Sequence, residues 1–328
     1  MAHMINEKNG KASMMYYGEK PWHGLGTELQ KPATAEEAIK EAQLDFNVEK
    51  FPIFINAGKK QIEVKDKFAT VRTDTNTPLG VVGSRYEPVQ NSQAFSFFDA
   101  LVGEGEAIYH TAGVLGKGER IWLLAKMPDF IKVKGANGKM DNVEKFVLLT
   151  NSHDGSSPTI AKLTPIRVVC NNTLSAALRG AEQEVRIRHT ATAEEKLREA
   201  HKILGLTNQL YTQLGEIFNT FSSKKVTDSQ AKKYFEEIMP DNKEAKHNTR
   251  KENVREKLFE LYDNGIGSDM SRGTVWGLYN AITEYVDHEK YSNKQMKKED
   301  FNKIEKIWFN GGEYLKHQAF DMALQLVK

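Results

Sequence analysis

Cysteine is almost missing: the 328 residues contain one, Cys170. That excludes an internal disulfide framework and any zinc site built from cysteine alone, and it fits a reducing compartment, so a cytoplasmic protein is expected. No run of about 18 apolar residues occurs, so no membrane span is expected, and the N-terminus lacks the apolar core of a secretory signal. Excess charge of one sign is absent too. Lys and Arg number 46 against 44 Asp and Glu, a net charge of +2. No bulk positive field exists, and any nucleic-acid site must be local. Neither a dinucleotide fingerprint nor a Walker phosphate loop is present, since Gly80-Val-Val-Gly83 is only a glycine-bounded turn. No repeat period appears.

The length suits one large domain with an appendage, or two domains. Met1-Ala-His-Met4 reads as a cloning remnant, so residues 1–15 are expected to be that remnant and a flexible lead-in, and His3 is no ligand. Residues 16–190 read as an α+β, β-rich domain. Thr34 and Glu37 form a capping box for a short helix over 33–43. Apolar runs between Phe46 and Val82, broken by Gly58 and Asn76-Thr-Pro78, predict an antiparallel meander. Asn91 to Val102 has helical spacing. Ala107–Leu115 and Arg120–Met127 predict a hairpin around Gly116-Lys-Gly118, followed by strands over 145–151 and 159–170. From Glu194 the apolar residues recur at threes and fours, so 191–328 is expected to be a helical domain, with Thr227 and Thr274 as N-caps and Pro240 as a stop. The fold class expected is therefore an antiparallel β-sheet domain with packed helices, followed by a mainly α-helical C-terminal region.

Polar chemistry concentrates between Lys145 and His189. His153, Asp154 and Ser156 sit on one loop, where a His beside a carboxylate and a hydroxyl suggests an activated nucleophile, although Asp-Gly flanked by Ser is also a hairpin turn. Cys170 follows Arg167 by three residues, which on a strand places them on opposite faces, so a small core thiol competes with a reactive one. Asn172 or Thr173 can cap a helix over 174–178. In Glu184-Val-Arg186-Ile-Arg188-His189 the alternation puts Arg186 and Arg188 on one face. With Lys162, Arg167 and Arg179, the stretch 155–189 holds five Lys or Arg against two acids, which suits a strand of phosphates, or equally a solvated face with cross-strand ion pairs. Trp22 and Tyr86 are candidate stacking platforms. Asn280, Glu284 and His288 recur at fours behind Thr274, which allows acid–base or metal chemistry or a buried polar network docking the helix.

Five segments carry a resemblance: Pro21-Trp22-His23-Gly24-Leu-Gly26-Thr27, Tyr86-Glu-Pro88-Val-Gln90-Asn91, Asn151-Ser-His153-Asp154-Gly155-Ser156, Thr164-Pro165-Ile-Arg167-Val-Val-Cys170-Asn171-Asn172-Thr-Leu, and the helix from Gly273 to His288. They resemble the phage- and plasmid-borne family catalogued as domain of unknown function 932. That setting implies work on DNA, and the β-rich half is similar at fold level to phage single-strand annealing proteins. The expectation is a metal-independent, cofactor-free homo-oligomer of a phage, prophage or plasmid that binds or anneals single-stranded DNA through Lys162, Arg167, Arg179, Arg186 and Arg188, with Trp22 or Tyr86 stacking. It would break no bond and would work with other phage or host recombination proteins. Two alternatives stand beside it: a hydrolase or nuclease using His153, Asp154 and Cys170 or Glu284 and His288, and a protein that binds a host factor through its helical half.

Overall fold

The computed structural model describes residues 5–18, 21, 24–96, 107–167, 172–173, 184–193, 195, 207–242, 248–290 and 311–328. Trp22, Cys170, Arg179, the proposed helix over 174–178 and the second half of the helix expected over 91–102 lie outside them, as does the side chain of Arg167. The fold is α+β. Its contacts define two compact units, one of Met1–Pro128, Phe146–Leu163 and Glu184–Thr207, the other of Asp129–Lys145, Thr164–Gln183 and Asn208–Lys328.

In the first unit the chain runs β1 (Glu7–Lys8), β2 (Lys11–Ala12), β3 (Met14–Tyr17), β4 (Thr27–Leu29), α1 (Ala35–Glu41), β5 (Val48–Ala57), β6 (Lys60–Arg72), β7 (Thr77–Gly83) and β8 (Ile108–Leu115). The residues read as a flexible lead-in carry β1 and β2, which pair with one another, while Ile5 bridges Leu115 and is buried. The capping box forms as expected: Thr34 accepts from the Glu37 amide, and the Glu37 carboxylate accepts from the Thr34 amide. The meander expected between Phe46 and Val82 is the antiparallel sheet β5-β6-β7.

Strands β9 (Arg120–Lys134) and β10 (Met140–Ser152) contribute residues to both units, and β11 (Thr159–Leu163), β12 (Ile166–Arg167), β13 (Asn172–Thr173) and β14 (Glu184–Ile187) follow. In the first unit the large sheet has the order β14-β11-β10-β9-β8-β3-β4. Its core face carries Ile121, Leu123, Ala125, Val147, Leu149, Ala161 and Ile187, which pack with Phe46, Phe95 and the small residues of α1. Sequence reading ends this strand at Met127. The strand instead continues to Lys134, with Asp129 in the left-handed region at φ 65°, a conformation that a bulged strand accommodates. Asn172 and Thr173 pair as a strand, Arg167 with Asn172 and Ile166 with Thr173, while the helix they were expected to cap lies outside the described residues.

The second unit holds α2 (Thr207–Ser223), α3 (Asp228–Ile238), α4 (Thr249–Asn264), α5 (Ser268–Ser271), α6 (Val275–Glu284) with a π-helical turn over Tyr285–Glu289, and α7 (Gly311–Leu326). Thr227 and Thr274 cap α3 and α6 as the sequence indicates. Every residue of α6 is buried, the pattern of a helix enclosed on all sides. Phe218, Phe221, Trp276, Tyr279 and Phe320 form its aromatic surroundings, with ring centroids 4.8–6.5 Å apart. The Trp276 indole N–H donates to Asp141 of β10 at 2.8 Å, a bond that a buried indole requires. Lys316 of α7 and Asp287 of the π turn form an ion pair at 2.5 Å, with Lys316 fully enclosed.

Removing one partner of such a pair strands a charge in a dry environment. Lys316→Met is expected to lower stability by about 3–5 kcal/mol, while Lys316→Met combined with Asp287→Leu recovers most of that loss, as urea denaturation would read.

Candidate functional site

Two of the segments singled out from the sequence, residues 86–91 and 151–156, lock onto each other inside the first unit. Asn91 donates from Nδ2 to the carbonyls of Leu44 (3.0 Å) and Phe46 (3.3 Å), so its Oδ1 must face His153 as an acceptor. His153 Nε2 lies 2.9 Å from that oxygen and therefore carries the proton, an assignment inferred from the network. Asn151 donates to the Val89 carbonyl at 2.8 Å and accepts from Thr159 at 2.7 Å. Tyr86 donates to the Ser152 carbonyl at 2.9 Å, and its ring stacks on His189 with centroids 4.7 Å apart. The Glu87 amide in turn donates to the His189 carbonyl. Side chains and backbone from three distant stretches are thus joined by hydrogen bonds in place of water.

His153 is fully buried, its ring edge-on to Phe46, and its Nδ1 has no hydrogen-bond partner among the described residues. Burial pushes its pKa down to about 3, and the neighbouring His189 and Arg72 lower it further, while Asp154 opposes them. His189 is lowered to about 4, again chiefly by burial, against the backbone groups of Glu87 and Ser157 and the Asp154 charge. Both rings are neutral near pH 7.

Asp154 follows His153 in the bend beyond the end of β10. It accepts from Ser152 Oγ at 2.5 Å and from the Ser156 amide at 2.9 Å. Burial acts to raise its pKa, but the hydrogen bonds from Ser152 and Ser156 and the charge of Arg120 outweigh that and hold it below the ordinary carboxylate value. The His–carboxylate contact that nucleophile activation needs is therefore not made within this loop; Asp154 and Ser156 form the turn itself. Gly155 supplies the positive φ, 77°, of that turn, and Gly80 of β7 has no room for a side chain, because a Cβ there would lie 2.4 Å from the Asp154 carbonyl oxygen.

The basic ribbon is formed by β11 and β14, paired Ile160 to Arg186 and Lys162 to Glu184. Lys162, Glu184 and Arg186 consequently share one face. Arg186 is 61% exposed and bonds Glu184 at 2.5 Å, and Arg188 is exposed just beyond the strand. The structure thus brings Lys162, Arg186 and Arg188 onto one ribbon. Arg167 occupies β12, paired with Val143 and Asn172. Tyr86 has one ring face covered by His189 and its hydroxyl engaged, so only its other face is left for stacking.

On α6 the polar residues are bonded within the second unit. Asn280 donates to the Trp276 carbonyl at 2.8 Å, Thr283 to the Asn280 carbonyl at 2.9 Å, and the Glu284 carboxylate accepts from the Ile266 amide at 3.1 Å. His288 sits in the π turn. Among the described residues, no three His, Cys, Asp or Glu side chains converge as a metal ion would require. Sequence reading missed the roles of Asn91 and His189. Both stood in segments the sequence singles out, but their partners are distant: His153 lies 62 residues from Asn91, and the Val89 amide, which donates to His189 Nδ1 at 3.4 Å, lies 100 residues from it.

A family model described as Domain of unknown function (DUF932) matches residues 78–308. No curated protein and no solved structure matches the chain.

The histidines make stability depend on acid. His153, His189 and His110, the last also lowered to about 4 by burial and the Lys126 charge, stay neutral in the folded chain while the unfolded chain protonates near 6.5. The unfolded state then binds more protons below that value. Stability present above pH 6.5 is expected to fall as pH drops toward 4, by up to about 1.4 kcal/mol per pH unit for each ring. Urea midpoints measured across that range would show it, and His189→Gln is expected to flatten the slope. Gly80→Ala is expected to destabilise by about 1–3 kcal/mol through overlap with the 153–156 loop, read as a lowered Tm.

Proposed function

The chain belongs to the DUF932 family, and we propose that it binds single-stranded nucleic acid as a homo-oligomer in the cytoplasm. The observation that carries this reading is the ribbon of β11 and β14, where Arg186 and Arg188 extend into solvent two residues apart at an edge of the large sheet. Strand geometry sets such residues about 6.7 Å apart, comparable to the phosphate spacing of a stretched single strand. Glu184 shares the Arg186 guanidinium, but an exposed pair of this kind is worth about 0–1 kcal/mol, so a phosphate can displace it. Lys162 lies on the same face as a third cation. Arg167 and Trp22 belong to the proposal through their motifs and Arg179 through the basic stretch 155–189, as does the mobile-element setting with its recombination and annealing partners.

The hydrolase reading finds less support, because the buried His153 bonds Asn91, the Asp154 carboxylate accepts from Ser152 and Ser156, and the Glu284 carboxylate holds a backbone amide. Fluorescence anisotropy with a labelled single-stranded oligonucleotide tests the proposal. Binding is expected at low salt and is expected to weaken steeply as salt rises. Arg186→Ala with Arg188→Ala is expected to reduce the slope of log affinity against log salt by about 1.4, the value for two lost phosphate contacts on a single strand. Absence of binding at low salt, or an unchanged slope in the double variant, overturns it.

A further inference from the structure

We propose that the solvent face of the β5-β6-β7 sheet is the surface through which two copies of this chain associate, about a two-fold axis lying across the strands. The inference deepens the oligomer half of the reading above and does not depend on nucleic acid. The pairing register fixes which residues share this face. Glu49, Val71 and Pro78 form one row across the three strands, Phe51, Ala69 and Val81 the next, and Lys67 and Gly83 the third. The opposite face carries Val48, Thr70, Arg72 and Val82, all buried. The outer face is not: Phe51 is 44% exposed and Val81 62% exposed, and the hairpin continues to Ile55 and Ile62, directly paired and about half exposed.

An apolar row spanning three strands is unusual on a face left to water. Its flanks indicate what covers it. Glu49 stands on one side of the Phe51–Ala69–Val81 row and Lys67 on the other, both exposed. A two-fold axis along the apolar row exchanges the two flanking rows. Phe51 and Val81 then stack on their own copies around the small Ala69, and each Glu49 comes beside the partner subunit's Lys67. Such self-complementarity is the requirement of an isologous interface. A phosphate chain fits poorly, because the row is apolar and the carboxylate of Glu49 flanks it opposite the single cation Lys67. Edge-to-edge pairing through β5 is also disfavoured: Pro52 and the register shift between Pro52 and Phe54 interrupt that edge. The face, not the edge, is the contact.

Sedimentation velocity on the full chain, without nucleic acid, tests this. The wild type is expected to sediment as a dimer at tens of micromolar, and Val81→Glu as a monomer with an unchanged Tm. Glu49→Lys and Lys67→Glu are each expected to weaken dimerisation by about tenfold or more, and the two together to restore it. Should Val81→Glu fail to fold, the charge exchange decides alone. A monomeric wild type at these concentrations, a dimer that survives Val81→Glu in folded form, or a charge exchange without rescue overturns the proposal. Oligonucleotide binding with a monomeric wild type would leave the nucleic-acid reading standing by itself.

Discussion

The hydrogen bond between Asn91 and His153 is the constraint around which the first unit is organised. Asn91 can offer its oxygen to the imidazole only because its amide nitrogen is engaged by the carbonyls of Leu44 and Phe46, and His153 can remain buried only while neutral. That single arrangement ties the entry to β5, the segment after β7 and the end of β10. Asn151 and Tyr86 repeat the logic on either side by bonding the backbone carbonyls of Val89 and Ser152. In a dry interior each bond matters chiefly because leaving its groups unpaired would be expensive.

The same economy of polar groups governs the second unit. α6 is enclosed on every side, and most of its polar groups turn inward to a partner: Trp276 finds Asp141, Glu284 finds the Ile266 amide, and the Asn280 amide nitrogen turns back to its own helix, while its Oδ1 has no hydrogen-bond partner among the described residues. Gly277 allows the close approach this requires, since a Cβ there would lie 2.4 Å from the Ser271 carbonyl. Of the residues that look catalytic by type, Asn280 spends its amide nitrogen and Glu284 its carboxylate on hydrogen bonds to backbone groups.

Surface chemistry follows a different rule. Arg186 and Arg188 point outward because strand alternation gives Ile187 to the core, and Phe51 and Val81 point outward because Val48, Thr70 and Val82 already fill the inner face. In both places pleating, which allots every second residue to each side, turns a core requirement into an exposed pattern. One pattern is basic and the other apolar, and each has its own proposed partner.

Much of the fold could be read from residue order. The Thr34–Glu37 box, the caps Thr227 and Thr274, the meander between Phe46 and Val82 and the hairpin at Gly116–Gly118 are local signals, set by interactions within a few residues, and local physics decides them. The extension of β9 through Pro128 and Asp129, the strand pairing of Asn172 and Thr173, and the ordering of residues 5–15 were not legible, because each depends on a strand supplied from elsewhere. The site shows the same division. The sequence by itself marked Tyr86–Asn91 and Asn151–Ser156 as unusual and placed Arg186 and Arg188 on one face. Only the tertiary structure decided that His153 would bond Asn91 and not Asp154, and that β14 would pair with β11 and so set Lys162 on the face of Arg186, because such partners arise from contacts across tens of residues that no local pattern encodes.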